Sequence, residues 1–304
     1  MQWQKLGHIF CPENNYDWMR THASNPSVEA RGNDIFRIYF STRDGDNRSS
    51  IGWAEIDINR PTKVLRISDK PVIGPGEIGT FDDSGTSMAC LVNVGNKRYL
   101  YYLGWNLGVT VPWRNSIGLA ISEGPDEPFV RHSLAPLLDR NDVDPYSISY
   151  PWVMRDQDLW RMWYGSNLSW GKEQKDMAHL IKYAESTDAL HWKRDGIIAL
   201  NFKDSTEYAM SKPCVIKENN LYRMWYSFRG VAYRIGYAES ENGVHWIRKD
   251  NESGITVSES GWDSETVEYP CVFISGGKKY MVYNGNGYGR TGFGIAVLED
   301  GSDS

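Results

Sequence analysis

Short aromatic and β-branched runs recur along the chain, each closed by Gly, Asn, Asp or Ser. FRIYF (36–40), YLYYLGW (99–105), WRMWYG (160–165), YRMWYS (222–227) and YMVYNG (280–285) form one series. Runs of this length, bounded by turn residues, predict strands. Nine or ten residues before each stands an x-Pro-x-Val-like anchor: Pro26, Ala89 (in MACLV), Pro151, Pro213 and Pro270. The anchors are spaced by 63, 62, 62 and 57 residues. A third run follows each aromatic one: IGWAEI (51–56), IGLAIS (117–122), IKYAES (181–186), IGYAES (235–240) and GIAVLE (294–299). HWKRDG (191–196) and HWIRKD (245–250) predict a fourth strand in the middle units.

A fixed period with one meander per repeat predicts radial repetition. The expected fold is an all-β, five-bladed β-propeller with four-stranded antiparallel blades. It occupies a single domain over 1–304, with blades at about 20–70, 80–135, 144–196, 205–250 and 262–300. The fifth unit lacks a fourth strand, and QWQKLG (2–7) echoes HWKRDG. The N-terminal strand 2–7 is therefore expected to join the last blade and close the ring, leaving no open edge.

The repeat assigns most of the cysteines. Cys90, Cys214 and Cys271 each follow an anchor, where the other units have Ser27 and Trp152. A position recurring in every unit is a packing position, so these read as buried thiols. The cysteines show no metal-type pairing, and a reduced, cytoplasmic setting is expected. Net charge is −6, against a nucleic-acid-binding surface. The start, MQWQKLGHIF, predicts no signal peptide, and no apolar run is long enough to predict a membrane span. Thirteen Trp and 18 Tyr supply either core or sugar-stacking faces.

In such a blade, residues entering the first strand share a face with residues leaving the second. At one repeat position leaving the second strand stand Arg43, Asn106, Asn167 and Arg229, with Trp105 and Asn286 nearby. Two Arg and two Asn suit recognition of hydroxyls and anions. Asp82, Asp83, Asp144, Glu207, Glu265 and Glu268 converge on the same mouth. Grouped carboxyls can protonate a leaving group or act as base or nucleophile. Asp82 and Asp263 occupy equivalent repeat positions and read as structural. Asp83, Glu207 and Glu268 have no counterparts in the other units. Two residues before the anchor, four units have Ser24, Ser87, Ser149 and Ser211, and the fifth has Glu268.

With endings such as STDALHW (186–192) and SENGVHW (240–246), the chain resembles the five-bladed propeller glycosidases of glycoside hydrolase families 43, 32, 68, 117 and 130. It is most similar to uncharacterised bacterial glycosidase-like proteins of polysaccharide gene clusters. They share runs such as STRD, GTFDDSG and SGWDSExxEYP. The resemblance covers essentially the whole chain and implies action on a glycosidic bond, by hydrolysis, phosphorolysis or transfer. Asn25 stands where families 32, 43 and 68 place an Asp as nucleophile or base. Glu268, in EYP, has the local spacing of the family 32 acid. Family 130 implies phosphate as a co-substrate, held here by His22, Arg43, Lys212 and Arg229. The resulting expectation has Glu268 or Glu207 as general acid and Asp83 as base or charge stabiliser. His22, Asn25, Arg43, Asn106, Asn167, Arg229 and Asn286 are expected to bind substrate, and Trp105, Tyr164 and Tyr208 to stack on it. No cofactor or spaced metal motif is predicted, although the channel acids leave a calcium ion open. The competing readings are a non-catalytic saccharide-binding propeller, a glycosyltransferase using an activated donor, and a protein scaffold.

Overall fold

The structure, a computed structural model, describes residues 1–173 and 176–299. The N-terminal strand β1 is Trp3–Phe10. The first unit contains β2 (Thr21–Gly32), β3 (Ile35–Arg43), β4 (Ser49–Asp57) and β5 (Val64–Ile67). The second contains β6 (Gly85–Val94), β7 (Lys97–Leu107), β8 (Trp113–Ser122) and β9 (Val130–Arg131). The third contains β10 (Ile148–Asp156), β11 (Leu159–Ser169), β12 (Ala178–Ser186) and β13 (Ile198–Leu200). The fourth contains β14 (Ala209–Glu218), β15 (Leu221–Arg229), β16 (Tyr233–Ser240) and β17 (Ile247–Arg248). The fifth contains β18 (Glu268–Ser275), β19 (Lys278–Asn284) and β20 (Phe293–Leu298). The chain is all-β, and no helix among the described residues is long and apolar enough to cross a membrane.

Within each unit the strands run as an antiparallel meander. The first strands touch in the order β2, β6, β10, β14, β18, and β18 returns to β2. As expected for residues 2–7, β1 pairs antiparallel with β20, so the two ends of the chain share one four-stranded sheet. The expected strand at 191–196 is displaced. Ser186 Oγ and Asp188 Oδ1 accept the amides of residues 188 to 191. Lys193 makes only an isolated bridge to Glu185, and the strand forms at Ile198–Leu200. The sister segment 245–250 does hold its strand, β17.

Each first strand slips register at its anchor, between Ser24 and Ser27, Met88 and Cys90, Ser149 and Trp152, Ser211 and Cys214, and Glu268 and Cys271. Proline supplies no amide to the ladder in four of these, but the second unit bulges at Ala89 as well, so the slip belongs to the repeat and not to proline alone. Before each proline the residue is left-handed: Asn25 (φ 57°), Tyr150 (39°), Lys212 (51°) and Tyr269 (55°). Three amides freed by the bulges are recovered from the preceding unit. Asn25 N–H donates to Asn284 Oδ1 at 2.8 Å, Met88 N–H to Ser41 Oγ at 2.8 Å, and Tyr269 N–H to Ser227 Oγ at 2.7 Å. These bonds bolt neighbouring units together and satisfy buried donors.

Cys90, Cys214 and Cys271 are buried and all four cysteines are free, in line with the packing expectation. At the same level Trp152 packs against four of the hydrophobic clusters and donates its indole N–H to Val215 O at 3.0 Å. One Trp among Ser and Cys residues thus fills the axis. Farther out, an Asp, a Tyr and a basic residue recur as a clamp. Asp82 binds Tyr102 and Arg131, and Asp144 binds Tyr164, Lys182 and Arg194. Asp250 binds Tyr226 and Arg248, and Asp263 binds Tyr283 and Lys5. The first unit has Phe40 in the tyrosine's place.

Candidate functional site

A cavity of about 500 Å³ opens at the end of the first strands. Ser24, Ser87, Ser149 and Ser211 line it, one from each of four units. The bulges beside them turn Asn25, Tyr150 and Tyr269 to its wall. The same bulge sends Lys212 elsewhere, and its buried ammonium donates to Ala89 O.

Glu268 occupies the fifth serine position and is 0% exposed. Its Oε1 accepts the Tyr288 amide at 2.9 Å and Thr266 Oγ1 at 3.4 Å, while Oε2 has no partner. Burial pushes its pKa up to about 8, outweighing the Tyr288 amide, the Thr266 hydroxyl and the Arg229 charge that favour ionisation. At neutral pH the carboxyl holds its proton. Tyr233, Tyr269 and Tyr288, whose rings line the cavity, surround it. Tyr288 is left-handed (φ 59°) in the turn Asn286–Gly289. The next residue, Gly289, lies so close to Ser24 that an added Cβ would fall 2.7 Å from the serine Cβ.

Two further buried polar atoms lack partners: Asn25 Oδ1 and Asn167 Nδ2, on cavity-lining residues that are each 3% exposed. An orphaned acceptor and an orphaned donor on residues that line a cavity are complementary to a hydroxylated ligand. His179 also lines the cavity. Its Nδ1 lies 2.7 Å from Met210 O, which fixes the proton there and leaves Nε2 as an acceptor. Burial lowers its pKa to about 4, so the ring is neutral at physiological pH.

Of the residues expected at the site, Asn25, Arg43, Trp105 and Asn167 line the cavity together. Arg43 donates to Asn47 Oδ1 at 2.6 Å, and Trp105 to Ser49 Oγ at 2.7 Å. Arg229 stands behind Tyr288, donates to its phenol, and lies 5.5 Å from both the Tyr208 and Tyr233 ring centroids. His22 is left-handed, near Arg43. Burial, then the Arg43 and Arg290 charges, lower its pKa to about 4.

The remaining expected residues are placed elsewhere. Glu207 forms a two-bonded pair with Arg248, at 2.6 and 2.9 Å, within the fourth unit's clamp. Asp83 accepts the Gly79 amide and the Ser84 hydroxyl, shaping a turn. Tyr164 is fully buried with its hydroxyl on Asp144 at 2.9 Å, so its ring offers no stacking face. Asn286 Oδ1 accepts the Glu265 and Thr266 amides, and Asn106 and Tyr208 are not among the lining residues. Among the described residues no group of three or more His, Cys, Asp or Glu is arranged to hold a metal ion.

The sequence reading missed His179, Tyr150, Tyr233, Tyr269 and Tyr288. A departure from the repeat marked Glu268, but Tyr150 and Tyr269 reach the cavity at bulges, Tyr288 from a turn, and His179 and Tyr233 from the starts of β12 and β16. Tyr150 and Tyr269 alone carried a usable signal, since they precede the anchor prolines.

No family model matches the chain. Among solved structures, BT0996 in its RGII complex matches with a TM-score of 0.75 at 19% identity, covering 99% of this protein and 93% of that one. A thermostable family-43 glycoside hydrolase gives 0.70 at 21%, covering 95% and 94%. A structure from the GH130 family of mannoside phosphorylases gives 0.71 at 14%, covering 99% and 95%. At these identities the likeness is one of fold. Two Mycobacterium tuberculosis proteins, the uncharacterised proteins MT1551 and Rv1502, are 49% identical over 300 residues, spanning 99% of this chain and all of theirs. The chain belongs to the family of these mycobacterial proteins.

Proposed function

We propose that the chain is a single five-bladed β-propeller domain and a carbohydrate-active enzyme that cleaves or forms a glycosidic bond at this cavity. The cyclic contacts of the first strands and the sharing of one sheet by both chain ends support the five-bladed ring. The likeness of fold to glycoside hydrolases and a mannoside phosphorylase family supports the substrate class. The observation that carries the enzymatic reading is Glu268, a protonated carboxyl buried behind the cavity wall at the first-strand position where the other four units place cavity-lining serines.

In this reading Glu268 is the general acid for the leaving oxygen. The Tyr288 turn covers it and shifts when saccharide enters. Orphaned Asn25 and Asn167 take substrate hydroxyls, with His179 Nε2 as a further acceptor. No Asp or Glu lines the cavity, and Asn25 offers no nucleophile. The attacking group is therefore brought by the co-substrate: water, phosphate or an acceptor hydroxyl. A transferase using an activated donor fits the same arrangement.

The complete burial of Glu268 favours one other reading, a saccharide-binding propeller without turnover. Purified protein incubated with aryl glycosides, sugar phosphates and nucleotide sugars, with and without phosphate, separates the two. Turnover is expected to fall about 100-fold or more in Glu268→Gln while saccharide binding persists. Turnover undiminished in that variant overturns Glu268 as the acid. Binding without turnover in the native protein selects the second reading.

A further inference from the structure

Most buried or half-buried arginines away from the cavity are held by carboxylates, among them Arg37 by Glu55, Arg98 by Glu29, Arg131 by Asp82, Arg194 by Asp144 and Arg248 by Glu207; Arg114 and Arg234 form no ion pair among the described residues, and Arg234 donates to the Tyr233 and Glu265 carbonyls. Neither arginine at the cavity has such a partner. Arg43 lines it with only the neutral Asn47 amide as a side-chain partner. Arg229, just behind, has a phenol and three tyrosine rings around it, no carboxylate within ion-pair distance among the described residues, and a buried Nε without a partner. Exposed Arg290 adds a third positive charge near His22. No Asp or Glu lines the cavity, although the chain as a whole carries −6. A positive hollow in a negative protein concentrates anions. A half-buried guanidinium without a counter-ion is also a costly arrangement unless a ligand supplies the charge.

We infer that the ligand of this cavity is an anionic saccharide, one carrying a carboxylate or phosphoryl group on the sugar. Arg43 receives that group directly, and Arg229 supports it from behind Tyr288. The planar fork of arginine matches the two oxygens of either group. Asn25 Oδ1, Asn167 Nδ2 and the serines remain for the hydroxyls, so the cavity divides its polar groups between charge and ring. Tyr288 is the movable part: its phenol now occupies an Arg229 donor that an oxyanion would take with a stronger, charge-assisted bond.

This inference rests on the saccharide reading above, and one binding experiment separates the two. Native protein, Arg43→Gln and Arg229→Gln are each presented with neutral oligosaccharides, uronate-bearing oligosaccharides, sugar 1-phosphates, nucleotide sugars and inorganic phosphate. Thermal melts serve as the folding control. The saccharides retained by native protein are expected all to carry an anionic group and to bind more weakly as NaCl is raised. Arg43→Gln should weaken them about tenfold or more with its melt unchanged, since its one side-chain partner lies in an exposed turn. Uronates bound in preference to phosphorylated sugars would assign the carboxylate, and the reverse the phosphoryl group. Neutral saccharides bound equally well, or binding indifferent to Arg43→Gln, overturns the inference and leaves the saccharide reading standing. Inorganic phosphate bound without any charged saccharide overturns it also, by making the anion a separate molecule. No saccharide bound at all overturns both.

Discussion

Glu268 keeps its proton because water cannot reach the carboxylate form, and the two hydrogen bonds to Oε1 compensate only part of that loss. The same physics makes it a liability to stability. With a folded pKa near 8 against an ordinary value of 4.5, the folded state binds the proton more tightly than the unfolded chain. Its contribution is fully present below about pH 4.5 and is lost as pH rises through 8. Glu268→Gln keeps the shape without the ionisation. The variant is expected to lose less stability than native protein between about pH 5 and 8, and to melt higher at about pH 8. Thermal melts of both proteins at the two pH values check this, and parallel pH dependence would refute the buried acid. Tyr164 is the contrasting residue, aromatic and near the mouth in sequence but committed to Asp144. Tyr164→Phe should cost about 1 kcal/mol in denaturant unfolding and leave saccharide binding unchanged. A sequence shows residue types and repeat positions, so it singled out Glu268. It could not show that Glu207 and Asp83 are tied up by Arg248 and by a turn, because those partners lie on other elements or depend on backbone shape.

Strand identity follows from local pattern, which is why the three main strands of every unit fall where the aromatic and β-branched runs predict. The fourth strand was less legible. HWKRDG and HWIRKD look alike and follow equivalent Ser186–Asp188 and Ser240–Asn242 turns, yet only the second holds its strand. The bulges were not legible at all: four coincide with a proline that has no amide for the ladder, but the second unit bulges at Ala89. They decide the site by turning Asn25, Tyr150 and Tyr269 to the cavity. At the axis, Trp152 touches four clusters from among residues no larger than Cys. Trp152→Ala is expected to cost about 3–5 kcal/mol, measured by chemical denaturation, since no neighbour can collapse into the space. A loss below about 1 kcal/mol would show that the axis is not packed around this ring.

For the whole molecule, closure is the decisive feature. The last sheet needs β1, from the other end of the chain, to cover β20. Trp3 anchors that strand: it is buried, its indole donates to Ser253 O at 3.0 Å, and it meets Trp225 edge-on at 6.0 Å between centroids. Removing residues 1–10 should therefore unpair an edge strand and expose apolar surface far from the deletion. The expected outcome is a soluble yield several-fold lower, with loss of the native melting transition, read by size exclusion and calorimetry. A truncated protein that melts like the native one would show that the ring stands without its N-terminal strand.

Sequence alone determined the repeat, the strand order and the outlying glutamate, because hydrophobic period and turn chemistry act over a few residues. Tertiary structure alone decided which of the six mouth acids is buried without an ion-pair partner among the described residues. It also decided which tyrosines line the cavity, and that two arginines there lack carboxylates. Those properties depend on what lies across a gap from a side chain. In a ring of repeated units, that neighbour is usually dozens of residues away, and for Asn25 and Asn284 it is 259.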